Sequence, residues 1–183
     1  MKSICVYCGS ASGNSPVYAQ AARSLASTLV GHNLSLVYGG GNVGLMGILA
    51  DEVLRLGGEV TGVIPQLLME KEVGHTALTQ LHIVKDMHER KAMMAQLSDG
   101  FIALPGGIGT LEELFEMLTW LQLGFHQKPI GLLNVDGFYD DLLAFLNHTV
   151  AQGFLKPEHR QLLRESTDPI ELIQLLHLPV FAG

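Results

Sequence analysis

Basic residues are scarce in this chain, which carries 11 Lys and Arg against 18 Asp and Glu in 183 residues. The resulting formal net charge of −7 argues against a protein that holds nucleic acid on a broad basic surface. A small phosphorylated ligand remains compatible with this charge, because it needs only a few local donors. Hydrophobic residues make up 48% of the chain and charged ones 16%, which is typical of a globular rather than a disordered protein.

Long apolar runs are also missing. No stretch approaches the roughly 20 residues that a membrane-spanning helix needs. The start, MKSICVYCGS, leads directly into a short strand-like segment without a signal-peptide pattern. The sequence therefore predicts a cytoplasmic protein without membrane or nucleic-acid partners.

Cysteine is nearly absent, with only Cys5 and Cys8 in the chain. A zinc site would need two more ligands, and there is no second cysteine pair. In a strand, an offset of three residues points the two side chains to opposite faces, so buried, reduced thiols are expected. The histidines show neither H-x-x-x-H nor H-E-x-x-H spacing, and no metal or other cofactor is predicted.

Strand-like and helix-like segments alternate along the chain. Apolar runs predict strands near residues 3–8, 34–38, 59–64, 81–85, 100–104 and 129–134. Most of these runs are continuously apolar, which is typical of parallel strands buried on both faces. Helices are predicted near 16–30, 44–56, 87–98, 110–123, 138–152 and 168–177, and an irregular or partly helical connection at 66–80.

This alternation predicts an α/β fold, a doubly wound parallel sheet flanked by helices. No linker rich in Pro, Gly or Ser divides the chain, so residues 1–183 are expected to form a single domain. Its motifs fall in a core at about 2–150, followed by a helical C-terminal tail at about 155–183. Ligands bind at the carboxyl ends of such strands, where the sequence places Gly9, Gly39–Gly41, Gly106, Gly107 and Gly109.

The first long glycine loop, GGGNVG at 39–44, fits G-x-G-x-x-G between a strand and a helix. The next strand ends Val63-Ile64-Pro65, without the acid that would hold a dinucleotide ribose, which disfavours NAD or FAD. A tight turn with close helix packing explains this loop, and so does a bound mononucleotide.

The second loop, Gly106-Gly107-Ile108-Gly109-Thr110, runs into a helix whose first N–H groups can bind phosphate. No lysine precedes Thr110, so the Walker pattern is absent and ATPase or kinase chemistry is not expected. Two interpretations of Glu113 stay open. Thr110 to Glu113 fits the S/T-x-x-E capping box, whereas a carboxylate one turn beyond a phosphate loop also lies within reach of the sugar.

Arg90 and Lys91 lie in the first turns of a predicted helix, an unfavourable end for cations. In a chain so poor in basic residues, this placement suggests an anionic ligand. Local pairing of Arg90 with Asp86 or Glu89 is the alternative, and such a pair is worth little if exposed.

These elements together resemble one family. PGGIGTLEE at 105–113 matches the P-G-G-x-G-T-x-x-E signature of the LOG ("Lonely Guy") family, and MHERK at 87–91 matches its M-x-x-R-K element. VYCGS at 6–10 and YGGGNVGLMG at 38–47 resemble its first two strand exits, so the resemblance covers about residues 2–150. It implies a Rossmann-like fold and a homodimer with the active site near the interface. The implied activity is that of a cytokinin riboside 5′-monophosphate phosphoribohydrolase, which releases free base and ribose 5-phosphate from such nucleotides or from AMP.

The resemblance also implies residue roles. Arg90 and Glu113 are expected to be catalytic. Substrate or phosphate binding is expected at Ser10, Gly40, Gly41, Glu72, Arg90, Lys91, Gly106, Gly107, Ile108, Gly109, Thr110, Leu111, Glu112 and Thr119. Glu70 is an alternative to Glu72, because that connection aligns loosely.

Two other functions are compatible with parts of the pattern. A non-catalytic carrier that resembles molybdenum cofactor carriers would share the phosphate-binding glycine loops, although the combination of Arg90 with Glu113 favours the enzyme. Relatives have been labelled lysine decarboxylases, but no lysine here lies in a recognisable pyridoxal phosphate context. A cytokinin-type base and plain adenine are both compatible with the sequence.

Overall fold

The computed structural model describes residues 1–72 and 74–180, with the backbone alone at 70–72. Helices and strands alternate in these residues, as predicted. Their bounds are β1 (Ser3–Tyr7), α1 (Pro16–Gly31), β2 (Ser35–Tyr38), α2 (Gly44–Arg55), β3 (Val60–Pro65), α3 (Gln66–Glu72), β4 (Gln80–Val84), α4 (Met87–Gln96), β5 (Gly100–Ala103), α5 (Ile108–Gln122), β6 (Ile130–Leu133), α6 (Asp140–Ala151), α7 (Pro157–Arg160), β7 (Leu163–Ser166) and α8 (Pro169–Leu176).

The seven strands of the described residues form one parallel sheet in the order β4-β3-β2-β1-β5-β6-β7. Cys5 on β1 pairs with Val37 of β2 on one side and with Phe101 of β5 on the other. The strand order therefore reverses between β1 and β5, which is where such sheets bind ligands. The predicted doubly wound, Rossmann-like fold is confirmed.

Two apolar cores lie on opposite faces of this sheet. Helices α1, α2 and α8 cover one face, and α4, α5 and α6 cover the other. Strands β1 and β5 are buried along their whole length, as their continuous apolar runs predict. Cys8 belongs to the first core and Cys5 to the second, and both thiols are buried and unpaired. No helix in the described part of the chain is long and apolar enough to cross a bilayer.

Strand β7 lies within the segment that the sequence predicts as a helical tail. Its four residues, LRES, place a half-buried Arg164 and an exposed Glu165 between buried Leu163 and Ser166. Such a short edge strand has no apolar run to mark it in the sequence. It forms because β6 offers a parallel partner, with Ile130 opposite Leu163, and α8 packs across both strands.

Helix α5 begins at Ile108, two residues before the predicted start. Gly107 is its N-cap, with extended backbone and no side-chain capping bond. Thr110 and Glu113 therefore lie inside the helix, and the capping-box interpretation of Glu113 is wrong. The sequence favours Thr110 as the cap because threonine is a good capping residue, whereas glycine gives a weaker signal.

Tyr139 stabilises the exit of β5 through one buried hydrogen bond. Its hydroxyl donates to the Leu104 carbonyl at 2.7 Å. Tyr139→Phe leaves that carbonyl unpaired, so it should lower the free energy of unfolding by about 1–3 kcal/mol in urea denaturation. Tyr18→Phe is the control, because this half-buried ring packs on Phe138, and it should cost less than about 0.5 kcal/mol. Equal losses in the two variants would contradict this role of Tyr139.

Candidate active site

A cavity of about 310 Å³ lies at the carboxyl ends of the central strands. Four helices and the β1 exit meet there. Its walls are Cys8, Gly9, Ser10, Met46, Leu68, Met87, Arg90, Gly107, Ile108, Gly109, Thr110, Glu112 and Glu113. The sheet topology therefore brings Arg90 and Glu113 into one site, although they are far apart in sequence.

Arg90 is buried and held by backbone carbonyls. Its Nε donates to the Val63 carbonyl at 3.1 Å and its Nη2 to the Gly39 carbonyl at 2.9 Å. A Cβ on Gly39 would lie 2.0 Å from Nη2, so only glycine allows this approach. Neutral carbonyls orient the guanidinium without cancelling its charge.

The predicted local partners of Arg90 are engaged elsewhere. Asp86 caps α4 by accepting from the backbone N–H groups of His88 and Glu89 at 3.0 and 2.9 Å. The Glu89 carboxylate accepts from the Lys85 N–H at 2.7 Å. Among the side chains that the structure describes, which exclude those of residues 70–73, no ion pair within 4.0 Å is found for Arg90. Its positive charge is therefore left to the cavity.

The N-terminus of α5 forms the mouth of this cavity. Leu111 makes the first backbone bond of the helix, to the Gly107 carbonyl at 3.2 Å. The N–H groups of Ile108, Gly109 and Thr110 precede that bond and have no acceptor among the described residues. A Cβ on Gly107 or Gly109 would meet nothing within 4 Å, so the space above these groups is open. An anion fits this geometry, because free N–H groups and the helix dipole attract negative charge.

Glu113 occupies the inner wall, one turn below that mouth. Burial raises its pKa from the usual 4.5 to about 7, while the charge of Arg90 opposes the rise and that of Glu112 adds to it. Glu113 is thus a carboxyl group that exchanges its proton near neutral pH. This is the property that a general base, or a carboxylate facing developing positive charge, needs.

Lys91 is held by two glutamates of α5, one of which, Glu112, is itself a wall of the cavity. Its ammonium contacts Glu112 at 2.5 Å and Glu116 at 3.0 Å, and it is not among the cavity walls. Burial lowers the pKa of Lys91, but the hydrogen bonds that its ammonium donates to Glu112 and Glu116 outweigh that effect and raise the pKa above its usual value. The lysine is therefore charged and tied to α5.

The remaining predicted site residues are distributed around the cavity. Gly106 adjoins it, and a Cβ there would lie 2.1 Å from the Thr110 hydroxyl oxygen. Gly40 and Gly41 are buried nearby, where the Gly40 carbonyl accepts from the His75 N–H at 3.1 Å. None of these three glycines is a wall of the cavity itself.

Two other predicted binding residues, Leu111 and Thr119, do not line the cavity. Leu111 is half-buried against the core beneath α5. Thr119 is exposed two turns further along the helix, where its hydroxyl donates to the Phe115 carbonyl at 2.7 Å. The side chains of Glu70 and Glu72 lie outside the described part of the chain, so that prediction stays open.

Several walls of the cavity were not predicted as binding residues. Met46, Leu68 and Met87 add apolar side chains to the walls, and the Met87 sulfur lies 3.7 Å from Nη1 of Arg90. Met87 opens the M-x-x-R-K element and could have been found from that position, whereas Leu68 carries no sequence signal. Burial raises the pKa of Cys8 far above its usual value, so this thiol is not a nucleophile.

Metal chemistry at this site has no support among the described side chains. No three His, Cys, Asp or Glu residues of the described chain converge on a metal-sized site. Another cavity, of about 390 Å³ around Lys2 and Glu59, contains none of the predicted site residues. The arrangement suits an anionic group at the α5 N-terminus, with Arg90 and Glu113 in the walls of the same cavity.

Comparison with known proteins finds relatives over most of the chain. A family model described as a possible lysine decarboxylase matches residues 46–176. Cytokinin riboside 5′-monophosphate phosphoribohydrolase LOG5 of Arabidopsis thaliana is 52% identical over 96% of this chain and 77% of its own length. The probable cytokinin riboside 5′-monophosphate phosphoribohydrolase LOGL1 of Oryza sativa subsp. japonica is 54% identical over 93% of this chain and 77% of its own length.

The fold also has counterparts among solved structures. The molybdenum cofactor carrier protein of Chlamydomonas reinhardtii superposes with a TM-score of 0.72, covering 96% of this chain and 97% of its own. Its sequence identity is 20%, so this likeness shows the fold alone.

The pKa of Glu113 has a consequence for stability. The carboxyl group of Glu113 has a pKa of about 7 in the folded protein and about 4.5 in the unfolded chain, so the folded state holds its proton more tightly. The contribution of this proton to folding stability is therefore complete below pH 4.5 and is lost as the pH rises through 7. Relative to Glu113→Gln, the wild-type protein should lose about 3 kcal/mol of unfolding free energy between pH 4.5 and 8. Urea denaturation across that range measures this loss, with the exposed Glu158→Gln as control. Parallel curves for wild type and Glu113→Gln would show that Glu113 ionises normally.

Proposed function

The chain belongs to the LOG family, and we propose that it is a phosphoribohydrolase that cleaves the N-glycosidic bond of nucleoside 5′-monophosphates. The products are the free base and ribose 5-phosphate. The observation that carries the proposal is the placement of Arg90 and Glu113 in one cavity beneath the open N-terminus of α5. The relatives named above are cytokinin riboside 5′-monophosphate phosphoribohydrolases that are 52% and 54% identical in sequence, and they support the same reaction.

The 5′-phosphate binds at the mouth of the cavity. The N–H groups of Ile108, Gly109 and Thr110 supply donors there, and the open space above Gly107 and Gly109 admits the phosphate oxygens. Phosphate binding is remote from the bond that breaks, so its energy serves to position the sugar. Ser10 adds a hydroxyl to the same wall.

Glu113 acts on the sugar. As the C1′–N bond lengthens, positive charge develops on the ribose, and a carboxylate beside it stabilises that charge. The oxygen of a water molecule forms the new bond to C1′, and Glu113 accepts the proton that this water loses. The electron pair of the broken bond goes to the base, which takes up a proton from solvent as it leaves, and Glu113 afterwards returns its proton to solvent. Glu113 must be ionised for this step, which its pKa of about 7 allows in half of the molecules at neutral pH.

Arg90 holds the other side of the ribose phosphate. Its guanidinium is fixed by the neutral carbonyls of Gly39 and Val63, so its positive charge can interact with an anionic substrate. It also favours the ionised form of Glu113, because opposite charges lower a carboxyl pKa. Arg90 and Glu113 are thus the catalytic pair, with Met46, Leu68 and Met87 as the apolar wall against the base.

Two alternatives have less support. A non-catalytic carrier would rest on fold likeness at 20% identity. Lysine decarboxylation would require a lysine amine free to form a Schiff base. Lys91, which follows Arg90 in α4, is instead held as an ammonium by Glu112 and Glu116. The reduced, buried thiols of Cys5 and Cys8 suit a cytoplasmic location, which we include in the proposal.

The proposal includes a homodimer with the site near its interface. One face of α5 and its C-cap carries five residues at helical spacing, which are Ile108, Glu112, Phe115, Thr119 and Leu123. Ile108 is 82% exposed and Leu123 is 60% exposed, which is unusual for apolar side chains beside a site. Thr119 lies about 16 Å along the helix from Ile108. A substrate contact of Thr119 therefore requires the site of a second copy.

Turnover tests the proposed reaction. The purified protein should release free base from AMP or isopentenyladenosine monophosphate, as measured by liquid chromatography. Adenosine, which lacks the phosphate, should react with a kcat/KM at least about 100-fold lower. Glu113→Gln should lower kcat by at least about 100-fold while the protein stays folded.

The exposed carboxylate of Glu158 provides the control, and Glu158→Gln should retain wild-type turnover. Absence of free base with every nucleotide tried would exclude the hydrolase. A Glu113→Gln variant with near-normal kcat would leave the reaction in place but remove Glu113 from it.

Light scattering tests the dimer. The wild-type protein should have twice the chain mass of 19.8 kDa, and Leu123→Glu should shift it to the monomer because a charge in an apolar interface is costly. Phe154, which is 91% exposed and lies outside α5, provides the control, so Phe154→Glu should leave the mass unchanged. A monomeric wild type, or a dimeric Leu123→Glu, would contradict this interface.

A further inference from the structure

Lys91 and two glutamates form an ion-pair network directly behind the cavity. The Lys91 side chain is 10% exposed, and its ammonium bridges Glu112 and Glu116, which are one turn apart on α5. The network joins α4 to α5, so it connects the helix of Arg90 to the helix of Glu113. Two carboxylates for one ammonium leave the network with a net negative charge.

Glu116 is unusual because one of its two carboxylate oxygens is buried without a hydrogen bond among the described residues. One of its oxygens, Oε1, accepts from Lys91, whereas the other, Oε2, is buried and accepts no hydrogen bond from any described residue. An unpaired buried carboxylate oxygen costs free energy, and such groups are rare in folded proteins. An exposed ion pair would tie the helices together without that cost, so a purely structural role does not account for this placement.

Charged and titratable groups surround Glu113 on three sides. Helix α4 contributes Arg90 and Lys91, and α5 contributes Glu112 and Glu116. Strand β1 and the residue that follows it contribute Cys5, Tyr7 and Cys8, whose own ionisation the charge of Glu113 disfavours. These three groups are buried and neutral, so among the described side chains Arg90 and the Lys91 network are the charges that act on Glu113.

We propose that Lys91 and Glu116 are positioning residues of the reaction, which set the charge of Glu113 through their buried ion pair and do not touch the substrate. This inference rests on the proposed function of Glu113. The negative charge of Glu116 holds the Glu113 carboxyl closer to its protonated form. The ammonium of Lys91 limits that effect because it offsets half of the negative charge of the two glutamates.

Opposite effects of the two substitutions follow from this arrangement. Glu116→Gln preserves the shape and one acceptor oxygen but removes a negative charge, so the proton of Glu113 should be lost at lower pH. Lys91→Met preserves the length but leaves Glu112 and Glu116 without their cation, so the proton of Glu113 should be lost at higher pH. Each shift should be about 0.5–1 pH unit, as expected for a partly buried charge one helical turn away.

Other roles of Lys91 predict different results. A lysine that contacts the substrate would raise KM on substitution and leave the titration of Glu113 in the free protein unchanged. A lysine that only ties α4 to α5 would lower stability without shifting the titration in opposite directions for Lys91→Met and Glu116→Gln. The titration midpoint of Glu113 therefore distinguishes the three roles.

Carbon-13 NMR of the full-length protein labelled at glutamate carboxyls measures this midpoint without reference to activity. The resonance of Glu113 is assigned by its disappearance in Glu113→Gln. Relative to the wild type, the midpoint should fall in Glu116→Gln, rise in Lys91→Met and stay within about 0.2 pH unit in Lys91→Arg, which keeps the charge. Glu52→Gln, which breaks the exposed pair between Glu52 and Arg55, is the matched control and should not shift it.

Unchanged midpoints, or shifts of the same sign in Glu116→Gln and Lys91→Met, would overturn the proposal. If Lys91→Met does not fold, a fall in Glu116→Gln together with no change in Lys91→Arg supports the proposal, and any other combination overturns it. Because the titration needs no substrate, its failure is distinct from a failure to release base, which would overturn the proposed reaction instead.

Discussion

The site depends on the two hydrogen bonds that hold the guanidinium of Arg90. Both are donated to backbone carbonyls rather than to a carboxylate. The carbonyls of Gly39 and Val63 come from the ends of neighbouring strands, so the parallel sheet itself fixes the arginine. Glycine at position 39 is required because any Cβ would occupy the place of the guanidinium. This arrangement keeps a full positive charge inside a cavity that also contains the buried carboxyl of Glu113, and it keeps that carboxyl able to ionise near neutral pH.

Stability and function are opposed at this point of the fold. Burial of Glu113 makes its ionised form unfavourable, and the orphaned oxygen of Glu116 adds a further cost. The two apolar cores on either side of the sheet supply the stability that tolerates these costs. Sites that need a perturbed carboxyl group are commonly built in this way, on rigid strands and helix ends where the surroundings cannot relax.

The sequence predicts the fold well because the strands near the site are continuous apolar runs and their exits are marked by glycines. Arg90 and Glu113 are predictable from spacing and family resemblance. The start of α5 cannot be predicted in this way, since Thr110 fits the pattern of a helix cap better than Gly107, which is the actual N-cap. The ion pair between Lys91 and Glu116 joins residues 25 positions apart, and only the packing of α4 on α5 brings them together. Strand β7 likewise depends on a neighbour, β6, rather than on its own four residues.

The pH dependence of kcat/KM with a nucleoside 5′-monophosphate tests the central role of Glu113 most directly. Because the carboxyl group must lose its proton to act, and its pKa is about 7, log kcat/KM should rise with unit slope at acidic pH and level off above neutrality. A profile that stays flat from about pH 5 to 8.5 would contradict this account, since a group with a perturbed pKa would then not take part in the reaction.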